Sequence, residues 1–177
     1  MLRGDHVGLR ARHITDVPIL TTELYDDVET RSRVSSRAWI PVPPALEDQP
    51  FGVQETSDSI VIFTVVDLAT DEVAGSAQLW GIDLHNRLAH LGLTLRPSFR
   101  GRGLGSDALR VLVRYGFATR GLHRLSIETL ADNQAMIHAA RTAGFTHEGT
   151  LHQSAWVNGQ FQDEVIYGLL APEWLGR

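Results

Sequence analysis

Cysteine is absent from the 177 residues. That excludes a disulfide framework, a cysteine nucleophile and thiolate metal sites, and it fits a reducing, cytoplasmic setting. No run approaches the roughly 18 apolar residues of a membrane span. The opening Met1-Leu-Arg-Gly-Asp5 lacks the apolar stretch and cleavage site of a secretory signal. No membrane partner is therefore expected. Basic charge is also scarce: 16 Lys and Arg face 21 Asp and Glu, for a net charge of -5. This argues against nucleic acid as the main ligand, because phosphate binding needs a basic face. The acidic balance suits a cationic or amine partner, and it equally serves solubility alone. The eight histidines show no paired spacing with carboxylates, so no metal is implied.

What the chain does have is enough apolar content, 43%, to build a core, at a length that fits one domain over 1–177. Val7 to Arg10 alternates like a short strand, and Asp16 to Tyr25 reads as a helix with Asp16 as N-cap and Pro18 in the first turn. Prolines at 41, 43 and 44 exclude regular helix, so Ala38 to Gly52 reads as a surface loop placed to act as a lid. Three strand-like runs follow: Ile60 to Val66, Val73 to Trp80 and Leu88 to Leu95. From Gly103 to Thr119 the period turns helical, with Leu104, Ala108, Leu112 and Tyr115 on one stripe. Arg124 to Leu130 returns to alternation, with Leu125, Ile127 and Thr129 facing one way. Asp132 can cap a second helix that Gly144 ends, with Phe145 as a hydrophobic latch. Last come Thr146 to Val157 and Phe161 to Leu170, joined by Asn158-Gly159, the strongest short hairpin signal. The order predicts an α/β fold: one mixed sheet with helices packed on it.

The chemistry concentrates in Leu91 to Ser106, LGLTLRPSFRGRGLGS. A strand ends, a proline-bearing turn follows, and glycines at 101, 103 and 105 lead into a helix. Glycine lets the backbone approach a ligand, and a helix start offers free N–H groups and a positive dipole end. That suits a pyrophosphate, with Arg100 and Arg102 adding charge. A plain tight turn would use glycine too. No Gly-Lys-Ser/Thr follows, which rules out a P-loop. The dinucleotide fingerprint needs glycine where Ser106 stands.

Arg100-Gly-Arg-Gly-Leu-Gly105 resembles the coenzyme A pyrophosphate loop of the GNAT N-acetyltransferase superfamily. Leu95-Arg-Pro97 resembles the end of that family's fourth strand, and Asn133 through Ala143-Gly-Phe145 its second signature helix. The start at Val7 and the tail from Gly159 to Trp174 resemble the RimJ/RimL-like branch, which includes ribosomal-protein N-terminal acetyltransferases. The resemblance implies a mostly antiparallel twisted sheet of about seven strands, splayed between the fourth and fifth. It implies acetyl-CoA as co-substrate and a primary amine as acceptor: a protein N-terminal α-amine first, or alternatively an aminoglycoside, polyamine or amino-acid-like amine. Backbone groups of Leu93, Thr94 and Leu95 would bond the pantetheine arm. Arg100, Gly101, Arg102, Gly103, Leu104, Gly105 and Ser106 would hold the pyrophosphate. Asn133 would touch the pantetheine arm, unless it serves only as a helix cap, and the helix face through Ala140 would line its path.

The same resemblance puts the amide near Leu93 against the thioester carbonyl. His90 stands where relatives often carry glutamate, and an imidazole accepts a proton near neutral pH. Glu128, Glu148 and His152 are the other candidate bases. Relatives often carry a serine three residues after the helix Asn and a proton-donating tyrosine seven after it. Here those positions are Met136 and Ala140, neither of which can donate, so a non-catalytic acyl-CoA sensor is a further reading. Trp39, Trp80 and Trp156 read as core or rim aromatics. A homodimer through an exposed final strand edge is also expected.

Overall fold

The computed structural model describes residues 1–35, 37–43, 49–54 and 57–176. Eight strands form one sheet in the order β1-β2-β3-β4-β5-β6-β8-β7. They are β1 Leu2–Arg3, β2 Val7–Arg10, β3 Ile60–Asp67, β4 Val73–Asp83, β5 Leu88–Leu95, β6 Arg124–Leu130, β7 Thr146–Val157 and β8 Gln160–Leu170. Among these pairings only β5 with β6 is parallel. β1 is the strand beyond the expected seven, and at two residues it is too short to show a period. The expected fourth and fifth strands are thus β5 and β6. The final strand, β8, is not an edge: β6 and β7 flank it, and β7 is the outer strand. The Asn-Gly turn closes as its residues demand, with φ of 48° at Asn158 and 85° at Gly159.

The helices are α1 Asp16–Leu20, continued by a wider π turn over Thr21–Tyr25; α2 Val28–Val34; α3 Leu104–Arg114, continued over Tyr115–Thr119; α4 Gln134–Ala143; and α5 Ala171–Leu175. Two caps differ from expectation by one residue. Thr15 occupies the N-cap of α1, and Asp16 turns its buried side chain inward to Arg10, Thr64 and the His13 N–H. Asn133, not Asp132, caps α4 by accepting from Met136 N, while Asp132 pairs with Arg33 of α2. In each case the neighbour has a better partner than the helix end.

Alternation along the strands divides the molecule into two layers. On one side Leu9, Val65, Ala77, Leu79, Ala89, Leu125 and Ile127 pack with Leu104, Ala108, Leu109 and Leu112 of α3 and with Ile137 and Ala140 of α4. On the other side a smaller cluster joins Leu20, Leu24 and Tyr25 to Phe51 and Val73, with Trp39 and Val42 against it. Tyr25 also donates to the Ile40 carbonyl, 2.8 Å away. The 38–52 segment is thereby tied down at both ends, and its central residues 44–48, where a lid would close, lie outside the described residues. No helix among the described residues is long and apolar enough to cross a membrane.

Asp107 joins the N-terminal strands to the start of α3. It accepts from the N–H groups of Asp5, His6 and Val7 and from Arg110. Burial alone would raise its carboxyl pKa, but these bonds together lower it.

Candidate active site

The β5–β6 ladder is short. Leu88 pairs with Arg124, Ala89 with Leu125 and His90 with Ser126, and there it ends. β4 remains paired with β5 as far as Leu95, and β8 with β6 as far as Leu130. From Leu91 to Leu95, therefore, one edge of β5 faces a gap instead of a strand. A backbone edge opened in the middle of a sheet holds donors and acceptors that an extended ligand can take up.

α3 begins beside this gap. Gly103, its N-cap, has φ of 79° and Gly101 has φ of 72°, the left-handed region where glycine costs least. A Cβ at either would meet nothing within 4 Å, so the space above the loop is open. The N–H groups of Leu104, Gly105 and Ser106 lie in the first turn, without intrahelical acceptors. Leu93 and Leu95 pack beside Gly105, where a Cβ would sit at ordinary contact distance, 3.8 Å from Leu93 and 3.6 Å from Leu95. Arg100 donates from Nε to the Leu95 carbonyl at 2.9 Å. Arg102 pairs with buried Asp67 at 2.8 Å and lies over the Phe99 ring, with Arg96 also stacked on that ring. Backbone donors at the helix start thus adjoin open space, and the same loop carries two tethered arginines. This donor set fits an anionic group such as a pyrophosphate.

Two candidate bases meet at the closed end of the gap. His90 stands on the last parallel rung, and its Nδ1 lies 3.2 Å from Glu128 Oε1. The pair lacks hydrogen-bond geometry, and Nδ1 is buried without a hydrogen-bond partner among the described residues. The other two candidates are engaged elsewhere. Glu148 lies against Gly168, bound at two points by Arg124, and that bonding lowers its pKa and its value as a base. His152 is 85% exposed, 3.4 Å from Asp163.

Asn133 is a cap whose Nδ2 also donates to Thr129 Oγ1. Ala140 is fully buried, which removes it as a ligand contact. With so small a side chain at that position, α4 packs directly onto the core. Met136 is packed against the same core, so neither position supplies a proton donor.

The chain matches the family described as Acetyltransferase (GNAT) domain over residues 6–146, most of its length. It belongs to that family. Members of this GNAT family use acetyl-CoA as co-substrate, in keeping with the open β5 edge and the glycine loop. Two curated relatives are similar over part of the chain. The putative ribosomal N-acetyltransferase YdaF of Bacillus subtilis is 33% identical over 59% of this chain and 57% of its own. The spermidine N(1)-acetyltransferase of Escherichia coli is 31% identical over 60% of this chain and 57% of its own. The chain thus spans less than two thirds of the length of these relatives. Spermidine N-acetyltransferase from Vibrio cholerae, solved in complex with CoA and spermine, superposes with a TM-score of 0.78 at 21% identity, covering 96% of this chain and 98% of that one. At that identity the likeness concerns the fold alone.

Trp80, read from the sequence as a core or rim aromatic, and Gly81, which the sequence reading passed over, close around His90. The signal was present: a glycine inside a strand pattern marks a bulge.

Proposed function

We propose that this protein is an acetyl-CoA-dependent N-acetyltransferase whose acceptor is a primary amine. The observation that carries the reading is the end of the β5–β6 ladder at the His90–Ser126 rung, directly beside the glycine-rich start of α3. Leu93 and Leu95 would bond the pantetheine arm along the open edge, whereas the contact expected from Thr94 is corrected, because its backbone groups face Ser76 of β4. Residues 100–106 with the first turn of α3 would hold the pyrophosphate. Asn133 keeps one amide hydrogen and one lone pair for the same arm. Bound acetyl-CoA supplies the thioester carbon: its bond to the amine nitrogen forms as its bond to sulfur breaks, and the amine's proton ends on the thiol. His90, held beside Glu128, takes that proton from the amine, directly or through water. The Leu93 N–H would bind the carbonyl oxygen as negative charge develops there. With Met136 and Ala140 on α4, the proton reaches sulfur through water.

The acceptor we favour is a small polyamine, supported by the two similar proteins named spermidine N-acetyltransferases. The α-amine acceptor of the RimJ/RimL-like branch is supported by the relative named as a putative ribosomal N-acetyltransferase. Thiol release from acetyl-CoA, measured with spermidine, spermine, aminoglycosides and peptides of varied N-terminus, separates the two. Turnover confined to polyamines supports the first, and turnover confined to peptides replaces it with the second. Tight acetyl-CoA binding with no thiol release from any amine would make the protein a sensor instead.

A further inference from the structure

The β4–β5 ladder runs without interruption from Gly75 opposite Leu95 to Trp80 opposite His90, and then slips. The next pair is Asp83 with Leu88, so Gly81 and Ile82 of β4 oppose the single residue Ala89. The extra residue makes a β-bulge. Gly81 takes φ of 59°, the left-handed conformation that a glycine-led bulge requires. Bulges raise local twist and re-aim the side chains beside them.

Here the re-aimed side chain is Trp80. Its indole lies nearly parallel to the His90 imidazole, centroids 4.4 Å apart and planes 21° apart. Gly81 closes on the same ring, because a Cβ there would come within 3.2 Å of His90 Cδ2. Glu128 stands at Nδ1, which is buried. The imidazole is therefore confined by an aromatic face, a backbone without a side chain and a carboxylate. Among the described residues its Nε2 makes no hydrogen bond, which leaves that nitrogen without a protein partner. Trp80 remains 38% exposed.

We infer that Trp80, set by the Gly81 bulge, is a positioning residue that holds the His90 ring with Nε2 presented to the acceptor amine. The inference rests on the assignment of His90 as base proposed above. The ring has two side-chain torsions, and the Nδ1 contact is not a hydrogen bond, so the stack is what restrains its tilt. Without it the base is still present but is misplaced for much of the time.

The test is a mutant cycle on kcat, with the acceptor KM and the acetyl-CoA Kd measured in parallel. Trp80→Leu should lower kcat about tenfold, a modest part of the roughly 10²–10⁴-fold that a positioned base contributes. The acetyl-CoA Kd should stay within about twofold, and Trp80→Phe, which can still stack, should recover most of the rate. In a His90→Ala background Trp80→Leu should change kcat no further, because the group it positions is gone. An equal loss in both backgrounds, or no loss in wild type, would overturn the inference. If His90→Ala itself turns over at the wild-type rate, the base assignment fails, an outcome distinct from a Trp80 effect missing while His90→Ala is impaired. Independently of turnover, the His90 ring-proton resonances should be displaced by the indole and should move in Trp80→Leu. Unmoved resonances would sink the stacking argument.

Discussion

Gly103 couples two quantities that a pair of variants can separate. Its φ of 79° is open to glycine, whereas a side chain there pays a left-handed backbone cost of about 1–2 kcal/mol. A Cβ at this position would meet no heavy atom within 4 Å, so no steric clash inside the protein adds to that figure. In a chain of this size about 1 kcal/mol lowers Tm by roughly 2–4 °C. Gly121 has a comparable φ of 64° and equally open surroundings, but it lies in the turn before β6. Gly103→Ala and Gly121→Ala should therefore lose similar stability in calorimetry. Ligand binding should differ. A side chain at 103 enters the space that the first-turn N–H groups face, and one lost charge-assisted hydrogen bond is worth about 1.5–3 kcal/mol. Titration of Gly103→Trp with acetyl-CoA should then give a Kd weaker by roughly ten- to a hundredfold, while Gly121→Ala binds as wild type. A Gly103→Trp protein that is folded and binds within about twofold of wild type would refute placement of the pyrophosphate at this loop.

Three other outcomes are expected. Burial pushes the Asp16 carboxyl up, but Arg10, the His13 N–H and Thr64 outweigh it and hold the pKa at about 2, below the 3.8 of the free group. Asp16 thus contributes about 2 kcal/mol that is present above pH 4 and lost as pH falls towards 2, so acid unfolding followed by circular dichroism should be shallower over that range in Asp16→Asn. Asn133→Ala should cost about 1 kcal/mol of stability in urea unfolding through loss of the α4 cap, and Asn133→Ser should recover most of it. His90→Ala should harm turnover of an alkyl amine more than that of a peptide α-amine at pH 7.5, because only about one alkyl amine in a thousand is neutral there against roughly one α-amine in four. Equal losses on the two acceptors would argue against His90 as the base.

Much of the fold was legible because its signals are local. The bounds of β2, β5, β6 and β7 coincide with the alternating runs read from the chain, since glycine, proline and Asn-Gly punctuate them. The Leu104, Ala108, Leu112 stripe is buried as its spacing requires. The caps of α1 and α4 were misplaced by one residue, because Thr15 or Asp16 and Asn133 or Asp132 can each cap. The choice is made by distant partners, Arg10 and Thr64 in one case and Arg33 in the other.

The candidate site divides along the same line. The glycine loop and the helix it opens are contiguous in sequence, and their residue types alone suit an anion-binding turn. The resemblance to the GNAT family rests on those residues together with Leu95-Arg-Pro97 and the helix from Asn133 to Phe145. The meeting of His90 with Glu128, the stacking of Trp80 on His90 and the burial of Ala140 are not contiguous properties. They depend on a three-rung parallel register, on a bulge in the neighbouring strand and on how closely α4 settles on the core. Local sequence determines backbone conformation through sterics and hydrogen bonding to near neighbours. The angle at which two strands part, and which side chains face each other across the gap, is decided only when both layers pack against the sheet.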